Sequence, residues 1–149
     1  SKTPLRFKVL LELCRRFHEE PMNLGVQFSS SRDIYHHFQT RLGNLKQERF
    51  IIVILDNKHR FLSETTVTVG LLNRSLVHPR EVFAEAIEQR AAAIICIHNH
   101  PSGDSSPSVE DKRITRRLQE SGELLGIPLL DHIIISKEDF TSFADEGWL

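Results

Sequence analysis

Residues 91–118 read AAAIICIHNHPSGDSSPSVEDKRITRRL, and the rest of the chain arranges itself around them. The run "AAIICIH" is apolar on both faces, which is what a strand covered on two sides requires. From Pro107 onward, Asp111, Ile114, Thr115 and Leu118 fall on one stripe at helical spacing, and Gly126 closes the pattern. The segment "IPLLDHIIIS" that follows is a second apolar strand. Between strand and helix lies "PSGDSSP", where Gly103 permits a tight bend and Ser106 with Pro107 makes an N-cap and first-turn pair.

Working outward, "TPLRFKVLLELCRRFHEE" reads as an amphipathic helix capped at Thr3, with Leu10, Leu13, Cys14 and Phe17 on one stripe. A loop runs to about Phe28. "SSSRDIYHHFQTRLGN" is a second helix, serine-capped, with Ile34, Tyr35, Phe38 and Leu42 inward and Gly43 as its stop. Its His36 and His37 diverge by about 100° on a helix, so they cannot face one ion and read as surface residues. "ERFIIVILD" is an all-apolar strand, "DNKH" a turn, and "RFLSETTVTVG" the antiparallel partner, with Phe61, Thr65, Val67 and Val69 as its packed face. "HPREVFAEAIEQR" is a helix with Pro79 in its first turn. The order is ααββαβαβ with a short tail. This is a single α/β domain, a mixed β-sheet flanked by helices.

The 149 residues suit one compact domain, and 40% apolar with 26% charged residues is an ordinary globular composition. A net charge of -1 gives no broad drive toward nucleic acid or an acidic membrane surface. The local basic clusters, Arg15-Arg16 and Lys112, Arg113, Arg116 and Arg117, read as solvated helix faces. Cys14 and Cys96 sit in apolar segments and read as buried thiols of a cytoplasmic protein. No run reaches the ~20 apolar residues of a membrane span, and no signal-peptide layout opens the chain. Ser1 is not a natural start residue, so the sequence reads as a piece of a longer protein. Nothing in it sets an oligomeric state.

Residues two apart on a strand point the same way, with Cα atoms about 6.6 Å apart, so His98 and His100 can converge on one metal ion. Cys96 shares that face but lies about 13 Å back from His100 by the same rise, too far for bonds near 2 Å. Asp111, one turn into the helix and core-facing, is costly unless paired, hydrogen-bonded or ligating a cation. Two imidazoles and one carboxylate leave a fourth tetrahedral position for water, the layout of a catalytic zinc site. The plainer alternative is that Asp111 pairs with Arg113 or caps its helix, and that the two histidines share a strand end by chance.

The spacing His98-x-His100, seven residues, Ser108-x-x-Asp111 resembles the JAMM motif of the JAB/MPN metalloprotease fold. With "VHPRE" before it and "LLDHIIIS" after it, the string "HNHPSGDSSPSVEDKRITRRL" resembles the bacterial RadC family. The resemblance implies a JAB/MPN (cytidine-deaminase-like) fold for residues 29–149, with residues 1–28 a helix and linker left from an upstream region. RadC-like proteins usually carry a helix-hairpin-helix region there. It implies His98, His100 and Asp111 as ligands of Zn2+, and Ser108 as hydrogen-bond donor to the metal-bound water or the oxyanion. It also implies a glutamate earlier in the chain as general base.

Of four glutamates, Glu110 points about 100° away from Asp111, Glu64 shares a strand face with Thr66 and Thr68 that looks like solvent, and Glu81 is placed for capping. Glu48 precedes Phe50, Ile52 and Ile54 on one strand face, where burial would raise its pKa toward a useful value, and it matches the RadC-like placement. Glu48 is the expected base. The expected activity is that of a zinc metallopeptidase or isopeptidase acting on a peptide or protein substrate. The rival readings are a DNA-repair-associated role and a metal-binding scaffold without activity. Charge and composition argue against nucleic acid as a partner of this module alone. A zinc deaminase would need a C-x-x-C pair, which the chain lacks. His132 is either a core histidine bonded to backbone or a residue supporting the metal site or substrate cleft.

Overall fold

The computed structural model describes residues 4–10, 24–72 and 76–149. Residues 5–10 are helical, and Leu5, Phe7, Val9 and Leu10 are all at least half exposed there. The remainder of the expected first helix, with Leu13, Cys14, Arg15, Arg16 and Phe17, lies outside the described residues.

Three helices follow, α1 Ser31–Leu42, α2 Pro79–Glu88 and α3 Val109–Leu125, with five strands, β1 Arg49–Leu55, β2 Phe61–Val69, β3 Ala93–Asn99, β4 Leu129–Ile135 and β5 Phe140–Ser142. The strands form one mixed sheet in the order β2-β1-β3-β4-β5. β1 runs antiparallel to β2 and β3, β3 parallel to β4, and β4 antiparallel to β5. The single parallel pair needs a crossover, and α3 provides it. The residues expected to form a plain tail add the edge strand β5.

Both faces of the sheet are dry at its central strands. Ile51, Val53, Leu55, Ile95, Ile97, Ile133 and Ile135 pack under α1 with Ile34, Tyr35, Phe38 and Leu42. On the other face Phe50, Ile52, Ile54, Ile94, Cys96 and Leu129 meet Val82 and Phe83 of α2 and Ile114 and Leu118 of α3. That two-sided cover is why β1, β3 and β4 read as unbroken apolar runs. The helix stops differ in cause. Gly126 ends α3 with a left-handed φ of 71°. Gly43 ends α1 in ordinary right-handed backbone, where a Cβ would stand 2.8 Å from the Gln39 carbonyl oxygen.

β2 departs from the sequence expectation. Ile54 pairs with Ser63 but Leu55 with Phe61, and Phe50 pairs with Thr68 but Ile51 with Thr66, so Leu62 and Val67 are extra residues in two bulges. Each bulge flips the alternation. Phe61 is buried as expected, whereas Thr65 is exposed, Val69 is 56% exposed and Thr68 is buried in its place. The same shift turns Glu64 inward: its carboxylate sits 2.8 Å from Arg41 on α1 and is not solvated.

Candidate metal centre

The centre forms where β3 ends and α3 begins, at the carboxyl end of a parallel strand, where α/β sheets place their ligands. His98 is the penultimate residue of β3 and His100 lies just past its end. The chain turns at His100, whose N–H donates to Ile135 of β4 (2.8 Å), and bends at Gly103 with φ 91°. Asp104 then caps the turn by accepting from the Ser106 N–H (2.9 Å), and Ser105 bonds Thr141 of β5 at 2.9 Å.

The helix begins later than the Ser106-Pro107 pair suggests. Ser108 is its N-cap: Oγ accepts from the Asp111 N–H at 3.0 Å, and Asp111 Oδ2 accepts from the Ser108 N–H at 2.7 Å. Asp111 at the third helical position completes a reciprocal capping box, and this satisfies two otherwise orphaned donors. The carboxylate is therefore both a cap and a site residue, and it does not pair with Arg113, which bonds Glu110.

Asp111 has no exposed surface. Its Oδ1 lies 3.0 Å from Nδ1 of His98, and its Oδ2 lies 3.1 Å from Nε2 of His100. Burial opposes its ionisation, but hydrogen bonds from His100 and His98, the charge of His98 and the Ser108 N–H hold it far below the usual carboxylate range. His100 shows the reciprocal effect. Burial opposes a charge on its ring, yet the bonds to Asp111 and to the Asp104 carbonyl (2.9 Å), and the charges of Asp111 and Glu48, raise its pKa. A carbonyl only accepts, so Nδ1 of His100 bears a proton. Its Nε2 then faces a carboxylate, a contact that calls for a second proton or a cation between them.

His98 is almost fully buried. Its Nδ1 donates to Asp111, and its Nε2 is buried without a hydrogen-bond partner; a cation held by both His98 and Asp111 would stand in place of that Nδ1 proton. Glu48 stands 3.8 Å from it. Glu48 precedes β1, its side chain is 22% exposed, and Leu72 N–H holds one carboxylate oxygen at 3.2 Å. It alone of the four glutamates reaches the histidines: Glu81 is exposed beside Arg80, Glu64 is bonded to Arg41, and Glu110 to Arg113.

Two residues of the centre carry more than the sequence revealed. Asn99, between the two histidines, is buried, accepts from the Arg49 N–H (2.6 Å) and donates to the Gln47 carbonyl (3.0 Å). It brackets Glu48 and fixes that residue against the end of β3. The asparagine between two histidines was the only sequence signal for this. His132, on β4 beside Cys96 of β3, is fully buried and bonds to a side chain rather than to backbone. The Thr115 hydroxyl, 2.6 Å from the ring, donates its one proton to the Asp111 carbonyl at 2.6 Å. Nδ1 of His132 must then donate to Thr115, leaving the Nε2 lone pair buried and unpartnered. Burial pushes the His132 pKa down to about 3, so the ring is neutral.

Among the described residues, two groups have ligand atoms all within 4.8 Å of one another: Glu48, His98 and His100, and His98, Asp111 and His132. The expected trio His98, His100 and Asp111 is joined through the two oxygens of Asp111. Cys96 belongs to neither group, and burial raises its thiol pKa well above the usual range. The surroundings fit a divalent cation on their own evidence. Two buried imidazole lone pairs lack donors, and a fully buried carboxylate holds negative charge beside them. No helix among the described residues is long and apolar enough to cross a membrane.

Residues 28–148 match the family model of the RadC-like JAB domain. The chain is similar to the UPF0758 protein of Syntrophotalea carbinolica, 49% identical over 142 residues, which are 95% of this chain and 63% of that protein. It is 46% identical over 143 residues to the UPF0758 protein of Methanosarcina mazei, covering 94% and 61%. It is 43% identical over 145 residues to that of Thermotoga maritima, covering 97% and 65%. The chain thus spans somewhat less than two thirds of the curated relatives it matches.

Proposed function

This chain belongs to the RadC-like JAB domain family, and we propose that it is a zinc-dependent hydrolase that cleaves peptide or isopeptide bonds in a peptide or protein substrate. The observation that carries the reading is the convergence of His98 and His100 on the ionised, fully buried Asp111, with Glu48 on the more exposed side of His98. His98, His100 and Asp111 would hold the ion, as two nitrogens and one carboxylate suit zinc. Zinc, when bound, supplies a water of lowered pKa and a Lewis acid for the scissile carbonyl.

The remaining work falls to this chain's own residues. Glu48, held by Leu72 N–H, accepts a proton at its carboxylate and later returns it to the leaving amine. Ser108 Oγ accepts from the Asp111 N–H, which leaves its own O–H to donate toward a substrate carbonyl oxygen as charge develops there. The Asp104 carbonyl accepts from Nδ1 of His100 and leaves Nε2 of that ring for the ion, in the manner of groups that fix ligand tautomers.

Elemental analysis of purified protein tests this first, and a peptide-library cleavage assay follows. One zinc per chain is expected in the wild type and none in His98→Ala. Unchanged zinc in that variant would overturn the metal reading, and zinc without any cleavage would favour the inactive scaffold.

A further inference from the structure

The lone pair on His132 Nε2 has no use in the arrangement just described. The ring cannot turn it toward a donor: Thr115 fixes Nδ1 at 2.6 Å, Phe143 stacks on one face with centroids 4.7 Å apart, and Phe50 meets it edge-on at 5.5 Å. The ring is fully buried, and its Nε2 is unpartnered. Yet His98, Asp111 and His132 bring ligand atoms within 4.8 Å of one another, as closely as Glu48, His98 and His100 do on the open side.

We propose that the centre has a second, inner cation position formed by His98, Asp111 and His132, alternative to the outer one formed by His98, His100 and Asp111. The inference rests on the metal reading above. The two positions share His98 and Asp111 and differ in their third ligand. A neutral imidazole has one lone pair, so His98 serves one ion at a time and the chain holds one cation, not two. The outer position lies where Glu48 and His100 keep partial exposure, so a fourth site there is open to water and substrate. All three inner ligands are buried, so an ion there meets neither. Two nitrogens and a carboxylate in an apolar surround favour zinc and similar transition metals over magnesium or calcium. The inner position therefore parks the ion in a loaded but idle state, and the balance between positions sets the active fraction.

Zn2+ titration against a competing chelating dye tests this, using the wild type, His100→Gln, His132→Gln and the double variant. His100→Gln should still bind one Zn2+ per chain, within about tenfold of wild-type affinity, because the inner ligands remain. His132→Gln should also bind one, through the outer set. The double variant should lose more than the roughly 10–100-fold that loss of a ligand's hydrogen-bond partner costs, because each position then lacks a coordinating ligand. In 15N-histidine spectra of wild type, which need no variant, Zn2+ should shift the His132 Nε2 resonance as coordination does. If His100→Gln binds no better than the double variant, and the wild-type His132 resonance stays in place, the inner position is wrong while the outer one stands. If the wild type binds no Zn2+, both readings fall together.

Discussion

The two sides of His98 are built on opposite terms. On the outer side Glu48 and His100 keep partial exposure and each is held by a backbone group, Leu72 N–H for one and the Asp104 carbonyl for the other, with His100 also reaching Asp111. On the inner side Asp111 and His132 are fully buried, and each is fixed by a side chain or cap that is itself fixed, through Thr115 and Ser108. Solvent reaches only the outer half, so adjustable groups belong there. The inner half must hold charge in a dry place, so its hydrogen bonds are complete except where a cation would complete them.

Removing Asp111 should break both halves at once, and this is the largest effect expected. Asp111→Ala deletes the common partner of His98 and His100 together with half of the capping box. Breaking a buried ion pair costs about 3–5 kcal/mol, so the urea midpoint should fall far enough to see, and zinc should be lost. A wild-type midpoint in the metal-free variant would mean that the inner half is not the rigid one.

Glu48→Gln confines the damage to the outer half. Glutamine keeps the shape and can still accept from Leu72 N–H, but it cannot take a proton. A positioned acid-base group contributes about 10²–10⁴-fold in rate, so turnover should drop by that much with zinc and stability retained. Zinc lost together with activity would instead make Glu48 a ligand, as its 4.8 Å grouping with His98 and His100 allows. Asn99→Ala tests whether the outer half depends on its bracket. With Gln47 and Arg49 no longer tied to β3, Glu48 should drift, and a displacement of about 1 Å can cost up to 10²-fold. The loss should appear in kcat more than in zinc content. Activity that falls only with the folded fraction would reduce Asn99 to a structural residue.

The outer half was largely legible in the sequence, and the reason is local geometry. His98, His100, Ser108 and Asp111 lie on one strand end, one turn and one helix start, so strand and helix periods alone bring them together. Glu48 needed tertiary information, but only the pairing of β1 with β3 in register. The inner half needed more. His132 enters from β4, and its role depends on which way Thr115 sends its single proton, which no pattern of residue types encodes. The same limit explains β2. Its bulges at Leu62 and Val67 are set by fit against β1, so simple alternation put Val69 inside and Glu64 outside when the reverse holds. The cap also moved from Ser106 to Ser108, because the reciprocal bond to Asp111 decides between two serines that look alike in sequence.

The smallest predicted effect separates the halves by pH, in protein stripped of metal by a chelator. His132 has its folded pKa pushed down to about 3 by burial, against an ordinary 6.5. Below about pH 6.5 the unfolded chain takes up a proton there and the folded chain does not, so stability must fall as the pH is lowered through that window. The slope from one such group is at most ~1.4 kcal/mol per pH unit. His100 acts with the opposite sign: its raised pKa gives stability that is fully present below pH 6.5 and is lost as the pH rises through the folded value. Asp111, held low, adds stability above its ordinary 3.8 and withdraws it only in stronger acid. The metal-free protein should therefore be most stable near pH 6.5, losing its outer contribution on the alkaline side and its inner one on the acid side. Urea unfolding at half-unit steps from pH 5 to 8 reads this directly, with His132→Gln as the control that removes one titrating ring and leaves His100 and Asp111 in place. The acid-side slope should flatten in that variant by up to ~1.4 kcal/mol per unit while the alkaline side is unchanged. Parallel curves for the two proteins would show that His132 takes up its proton without resistance, and the inner half of the centre would then be wetter than its packing against Phe50 and Phe143 implies.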